Sequence, residues 1–536
     1  MMKKITISKV KYLLPVIGLM IASSCIADLD TIPDDDQNIT TEKFYSNPDS
    51  YKQVLAKLYA GLAVSGQSGP AGSSDITGID EGFGQYLRGY WQAQELPTDE
   101  AVIAWNDGSL PDYHENDWTS SNEFIRAIYD RFNYQVALCN EFLRQTTGEK
   151  LDGRGVSGNL RTEIQTFRAE ARLLRALSHY HLLDMFGNVP FFTEEDPVSG
   201  YFPEQVDRAF LFNYIESELL DIQDDLVPAR NNEYARADQA AAWAILAKLY
   251  LNAEVYIGEA RYTDCITFCN NIINAGYSLV PQYEYLFLAD NDRNGAEQEI
   301  LFPIAFDGLN TKTYGGTTFL VHAPVGGDMD PVDFGINGGW GGLRTTAAFV
   351  DKFTEPTPDM RAMFFTEGQS KEINNIGNFK DGYAITKWKN VTSAGEPGSD
   401  TGGDFPDTDF GLFRLAEFYL TYAEAVVRGG AGGSVNDAVN YINMLRERAY
   451  GDQSGNINAG NLTLDFLINE RARELYWEGH RRTDLIRFGR FTGSAYLWPW
   501  KGGVKNGTSI PAYLSLFPIP ATELVANPKI QQNPGY

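Results

Sequence analysis

The sequence predicts a mainly α-helical protein in which paired helices support a loop-rich face with few short strands. Three observations lead there. Residues 41–63, 119–146, 160–186, 206–226, 237–256 and 261–276 place apolar side chains three and four apart, and a second helical set returns at 412–428, 434–449 and 463–479. The stretch Ala247–Glu254 (AKLYLNAE) is echoed by Glu417–Glu424 (EFYLTYAE), and each is followed, after a Gly-containing turn, by another amphipathic segment. Small alanines at a crossing beside large aromatics are how helix pairs of tetratricopeptide type pack. Between the two sets, residues 277–411 are dense in Gly, Asn, Asp, Pro and Thr, with short strand-like pieces such as Ile300–Phe306 and Tyr383–Trp388.

Taken in order, the chain opens with Lys3, Lys4, Lys9 and Lys11, an apolar run from Tyr12 to Ala22, and Ala22-Ser23-Ser24-Cys25. A basic start, a short apolar run and small residues before a cleavage point describe a secretory signal over residues 1–24. The run is too short for a stable membrane span. Ending on Ser-Cys points to lipoprotein processing with lipidation of Cys25; an ordinary signal peptide with an incidental cysteine is the other reading. Residues 25–40 then form an acidic tether, with Asp28, Asp30 and Asp34 to Asp36. Residues 41–536 read as one domain. Its helical scaffold covers 41–63, 119–276 and 412–490, and its loop-rich regions are 64–117 and 277–411. Asn47-Pro48-Asp49 breaks or restarts the first helical segment, and Ala169, Leu173, Leu174, Ala176, Leu177 and Tyr180 mark a long buried face.

Composition excludes several classes. The formal charge is −27, and residues 1–24 carry four lysines and no acid, so the processed chain stands at −31. Such a surface repels nucleic acid and anionic membranes but is indifferent to a neutral ligand. Besides Cys25 there are only Cys139, Cys265 and Cys269, an odd remainder that makes no disulfide framework and reads as buried thiols. No metalloprotease, serine-hydrolase, phosphate-loop or dinucleotide motif is present. Among 71 acidic residues none is marked by its context as half of a glycosidase pair.

Three local patterns carry chemistry. Asp290, Asp292 and Asn294, followed by Gly295, have the opening spacing of a calcium loop; Leu301 stands where a twelfth-position acid belongs, and a plain polar turn is the better explanation of the segment. Trp340 lies between two glycine pairs, so its ring is either presented to solvent, where it can stack on a sugar, or folded back and buried. Trp105, with polar neighbours on its C-terminal side, and Tyr314, before Gly315-Gly316, are candidate platforms of the same kind.

The segment Glu470–Gly489 (ERARELYWEGHRRTDLIRFG) resembles the C-terminal signature of the SusD/RagB family. The tail, Phe517–Pro520 through Asn533–Tyr536, the segment Phe413–Glu417, the LPTDEA segment Leu96–Ala101 and the acidic leader after Cys25 are similar to that family too. The signature's interleaved Arg and Glu suit a mutually satisfied, partly buried network, a structural role. The resemblance implies a SusD-like fold and a surface lipoprotein, on the extracellular face of the outer membrane, that binds glycans without cleaving them. It also implies a TonB-dependent transporter of SusC type as partner and no cofactor, with calcium at 290–294 the one metal the residues suggest.

Within the family, Tyr314–Thr318, Pro406–Asp409 and Tyr496–Gly503 are similar to a starch-binding prototype. That similarity places an aromatic arc on Trp105, Tyr314 and Trp340, a sugar-contacting arginine at Arg88, and further hydrogen-bonding groups at Asn106 and Asp107. Departures stand at Ile103, where the prototype has a second tryptophan, and at Gly108, where it has a contacting asparagine. The expected function is capture of starch or malto-oligosaccharides. The alternatives are the same module binding another glycan, a fructan or host glycan, and a mainly structural transporter lid.

Overall fold

A computed structural model describes residues 40–353 and 358–536. The signal segment, Cys25 and all of the tether but Thr40 lie outside the described residues. Helices dominate: α1 (Asp49–Ala63), α2 (Tyr86–Glu95), α3 (Glu123–Gln145), α4 (Gly158–Met185), α5 (Arg208–Ile222), α6 (Gln239–Leu251), α7 (Tyr262–Ile273), α8 (Gly316–His322), α9 (Leu415–Val427), α10 (Val435–Tyr450), α11 (Leu464–Leu475) and α12 (Arg481–Arg487). Several begin on side-chain caps written in the sequence. Asn122 accepts from the N–H groups of Phe124 and Ile125, Asp238 from Ala240, Ser434 from Asp437 and Thr463 from Phe466.

The helices pack on one another in succession: α3 on α4, α4 on α5, α6 on α7, α7 on α9 and α9 on α10. The echoed segments therefore meet. Lys248 of α6 forms an ion pair with Glu417 of α9, and the Tyr419 and Tyr441 rings stack 4.7 Å apart between α9 and α10. Among the described residues, strands come in antiparallel pairs. β1 (Val102–Ile103) joins β5 (Leu343–Arg344), β2 (Val189–Phe191) joins β3 (Glu204–Val206), β4 (Ile300–Ile304) joins β8 (Phe410–Arg414), and β6 (Phe364–Phe365) joins β7 (Ala384–Ile385). Cys139, Cys265 and Cys269 are buried free thiols.

Three expectations are corrected. The segment 412–428 begins in strand β8, because its first residues pair with the buried β4 edge before the helix starts at Leu415. The segment 463–479 stops at Leu475; Trp477 then turns the chain in the left-handed region at φ 60°. Region 64–117 is not helix-poor throughout, since it contains α2. Its apolar face (Tyr86, Leu87, Tyr90, Trp91) and its polar face (Arg88, Gln92, Glu95) are both buried, within a helix of only ten residues.

The C-terminal signature builds a network buried more completely than its composition suggested. Six cations, Arg361, Lys387, Arg414, Arg446, Arg448 and Arg473, meet five carboxylates, Glu299, Asp359, Glu470, Glu474 and Glu478, at 2.5 to 3.1 Å. Burial alone would raise the Glu474 pKa, but Arg448, Arg414 and Arg361 outweigh it and hold the group at about 2. A second set of contacts joins this region to α2. Arg481 grips Asp99 through two bonds of 2.7 and 2.9 Å, and Glu95 accepts the N–H groups of Gly479 and His480. The Trp91 indole donates to the Trp477 carbonyl and the Tyr90 hydroxyl to that of Gly479.

Glu474→Gln leaves three buried arginines short of a counter-charge, which should cost about 3–5 kcal/mol, read as a lower urea midpoint. With its folded pKa held below the ordinary 4.5, Glu474 contributes stability in full above pH 4.5 and loses it as pH falls through about 2. The variant should lack that part of the acid dependence.

Candidate functional site

The loops over the N-terminal end of α2 bring Trp105, Trp340 and Tyr314 into one run of rings. Trp105 and Trp340 have centroids 6.2 Å apart with planes tilted 46°, and Tyr314 lies 6.4 Å from Trp340 at 56°. Phe405 continues the run, 5.5 Å from Tyr314. The successive tilts make the surface bent, not flat. Tyr314 is 39% exposed, whereas Trp105 and Trp340 are half-buried. Trp340 thus does both things the sequence left open. Its ring backs onto His322 at 4.9 Å while it keeps partial access to solvent.

Backbone geometry fixes each ring. Trp105 follows β1 and Trp340 precedes β5, so the β1–β5 pairing, extended by the Ala104 N–H donating to the Gly342 carbonyl, sets the two tryptophans side by side. The Trp105 indole donates to the Trp340 carbonyl at 3.3 Å. The Trp340 loop is sewn to the end of α8, where Trp340, Gly341 and Gly342 donate to the carbonyls of His322, Val325 and Ala323. Tyr314 is held from below. Gln85 accepts the Gly316 N–H at 2.9 Å and donates to the carbonyls of Leu62 and Ala63, and Arg88 donates to the Tyr314 carbonyl at 3.0 Å.

Arg88 lies under the rings and not on the surface. Its guanidinium is 3.7 Å from the centroid of Phe83, 4.4 Å from Phe319 and 5.9 Å from Trp105, and its Nε has no hydrogen-bond partner among the described residues. Burial pulls its pKa down to about 9 against the upward influence of Asp80 and Asp107, so it stays cationic at neutral pH. Asn106 and Asp107 are exposed directly after Trp105, at one end of the run. Asp290, Asp292 and Asn294 lie in a different loop. Asp290 accepts from Asn294 and from both the N–H and hydroxyl of Ser393, while Asp292 pairs with Arg293. Those bonds account for the three residues as a polar turn, and no group of three or more His, Cys, Asp or Glu side chains arranged to hold a metal occurs among the described residues.

Sequence reasoning missed the supports: Gln85, Phe83, Phe319, His322 and Phe405. None sits in a repeating pattern, and only Phe319 and Phe405 border a recognisable stretch. One legible signal was the glycines. A Cβ at Gly342 would come within 2.4 Å of the Trp105 ring, and one at Gly339 within 2.1 Å of the Val325 carbonyl oxygen. Gly342→Ala should therefore displace the Trp105 indole, changing the near-ultraviolet circular dichroism while leaving the far-ultraviolet spectrum unchanged.

Known proteins share both the architecture and much of the sequence. Residues 359–536 match the model of the SusD family, and residues 80–251 match a model described as "Starch-binding associating with outer membrane". The chain is 37% identical to the starch-binding protein SusD of Bacteroides thetaiotaomicron, over 96% of each chain. It is 24% identical to the SusD-like protein P25 of Formosa agariphila, over 93% of this chain and 94% of that one. Among solved structures, a SusD superfamily protein from Bacteroides thetaiotaomicron superposes with a TM-score of 0.68 at 21% identity, covering 91% of this chain and 100% of the other. Surface glycan-binding protein A of the same species, in complex with laminarihexaose, gives 0.67 at 19% identity, covering 90% and 99%. The helical architecture and the long, full-length match agree: the chain belongs to the SusD/RagB family.

Proposed function

We propose that this protein captures starch or malto-oligosaccharides at the Trp105–Trp340–Tyr314 face, without cleaving them, and passes them to a TonB-dependent transporter of SusC type. The observation that carries the reading is the bent run of three rings, with planes turned 46° and 56° from one to the next. A ring stacks on the apolar face of a sugar, and a bent row of rings follows a chain that curves, as an α-1,4-glucan does. Family membership, with a starch-binding relative at 37% identity, supports the same choice.

The chemistry of the rim fits a neutral, hydroxylated ligand. Asn106 and Asp107 are exposed at the end of the run and offer groups to sugar hydroxyls. Hydrogen bonds to hydroxyls that water already satisfies yield little net free energy, so affinity per site is weak and stacking area dominates. A platform held by backbone bonds loses little conformational freedom on binding, which recovers part of that deficit.

The test is a binding panel on residues 26–536: maltoheptaose and amylopectin beside inulin, laminarihexaose and a mixed-linkage β-glucan. Saturable binding to the α-glucans, weakened about tenfold or more in Trp105→Ala and in Trp340→Ala, is the expected result. Inulin or laminarihexaose binding in their place would redirect the specificity. No binding to any glycan would leave a transporter lid. Release of reducing sugar over time would overturn the non-catalytic reading.

We also propose that the protein is held at the outer membrane by lipid on Cys25. None of the described helices is long and apolar enough to cross a membrane. Cys25→Ser should move the full-length protein from the membrane fraction to the soluble fraction and abolish incorporation of labelled fatty acid.

A further inference from the structure

Behind the Trp340 ring lies a histidine whose bonds a neutral imidazole cannot complete. His322 ends α8, and its ring stacks on Trp340 at 4.9 Å and 23°. Its Nδ1 is 2.7 Å from the Gly338 carbonyl oxygen, and its Nε2 is 3.0 Å from the Asp404 carbonyl oxygen. Carbonyl oxygens only accept, and a neutral imidazole has one N–H to give. In the neutral form one of these contacts sets lone pair against lone pair. The imidazolium donates to both.

The two carbonyls belong to different loops. Gly338 lies in the loop that presents Trp340, whereas Asp404 lies in the 400–405 loop that leads to Phe405 and so to Tyr314. A second strand of contact joins them, since the Asn337 amide donates to the Asp404 carboxylate at 2.6 Å and the Asn337 N–H to the Gly403 carbonyl at 3.1 Å. We propose that His322 is a positioning residue: its imidazolium form pins the Trp340 loop to the 400–405 loop, ordering the aromatic run at mildly acidic pH.

The surroundings set the pH range. Burial lowers the His322 pKa below the ordinary 6.5, and the Gly338 and Asp404 carbonyls, then the Asp404 carboxylate, pull it part of the way back. Asp404 is the charged side chain facing the ring; the other contacts are the neutral Trp340 indole and backbone. The neutral form therefore prevails at pH 7.5, and protonation sets in as pH falls through the range below 6.5. A ligand that needs the ordered platform then binds more tightly as pH falls, and its binding takes up a proton.

The test has a ligand-free arm and a ligand arm, of which only the second rests on the glycan reading. In ligand-free protein, the His322 Cε1–H and Trp340 indole N–H resonances are followed from about pH 7.5 to 4.5. They should titrate with one midpoint, and the Trp340 movement should vanish in His322→Gln. A Trp340 resonance that ignores pH, or one that still moves in the variant, overturns the proposal. Should the variant fail to fold, coincidence of the two wild-type midpoints supports the proposal and divergence overturns it. In the ligand arm, the maltoheptaose Kd should fall about threefold in the wild type between pH 7.5 and the acid end of the His322 titration followed in the ligand-free arm, and stay level in His322→Gln. A level wild-type Kd overturns the proposal. Absence of binding at every pH refutes the glycan reading alone, and the ligand-free arm then decides the role of His322.

Discussion

Glu474 is the carboxylate on which the rest of this fold depends. Arg361, Arg414 and Arg448, from three separate segments, converge on it, and it carries no solvent exposure. Taking a single charge out of water costs several kcal/mol, and attraction offsets this only when geometry is good and every partner is satisfied. Here satisfaction is shared: Arg414 also holds Glu299 and Glu478, and Arg448 also holds Glu299. Such a network adds less to net stability than its bond count suggests. What it does impose is a single arrangement, because any other packing of α9, α10 and α11 would leave a buried charge unpaired.

That constraint reaches the aromatic face through α2. The signature turn after α11 puts Trp477 in a left-handed conformation, a strained position for a tryptophan, and surrounds it with bonds: its N–H and indole go to Glu100, and its carbonyl receives Trp91. Glu95 and Asp99, anchored by Gly479, His480 and Arg481, fix the C-terminal end of α2 and the LPTDEA segment. Thr346, just past β5, donates its hydroxyl to the Asp99 carbonyl, so the strand beneath Trp340 is fastened to the same point. At the other end of α2, Gln85 and Arg88 hold the Tyr314 loop. The three rings are thus the outer edge of a framework whose centre is ionic.

The scaffold was legible because its helices obey a period. The break at Asn47-Pro48 is a local signal, and the echo between Ala247–Glu254 and Glu417–Glu424 marked two helices that touch through Lys248 and Glu417. Helix α2 was missed although Tyr86, Leu87, Tyr90 and Trp91 keep a helical spacing, because it is short and set in a glycine-rich stretch; what the sequence does not show is that its polar side, with Arg88, Gln92 and Glu95, is buried too. The three rings were individually suspect, Trp340 and Tyr314 from their glycine-rich settings, Trp105 from its polar neighbours, and all three from family resemblance. Their adjacency was not readable, because Trp105 and Trp340 are joined by a pairing of two residues per strand across 235 positions of sequence. His322 stood out least, as one of five scattered histidines, since its meaning lies wholly in two distant carbonyls.

The division of labour between centre and edge also explains why so acidic a protein suits an uncharged polymer. Its formal charge of −27 does not steer a neutral glycan, so neither encounter nor affinity can come from the long-range field. On the proposed reading, selection comes at contact, from the shape of the ring surface and the spacing of the groups at its rim. Shape discriminates only if it is held, and half-buried rings on loops hold their shape only if the loops are tied at many points. The β1–β5 pair, the bonds from the Trp340 loop to α8, and the Gln85 and Arg88 supports supply those ties. Arg88 shows the logic most plainly: a cation sheltered beneath aromatic rings, with one bond spent on the Tyr314 carbonyl, shapes the surface from behind whether or not it also reaches the ligand.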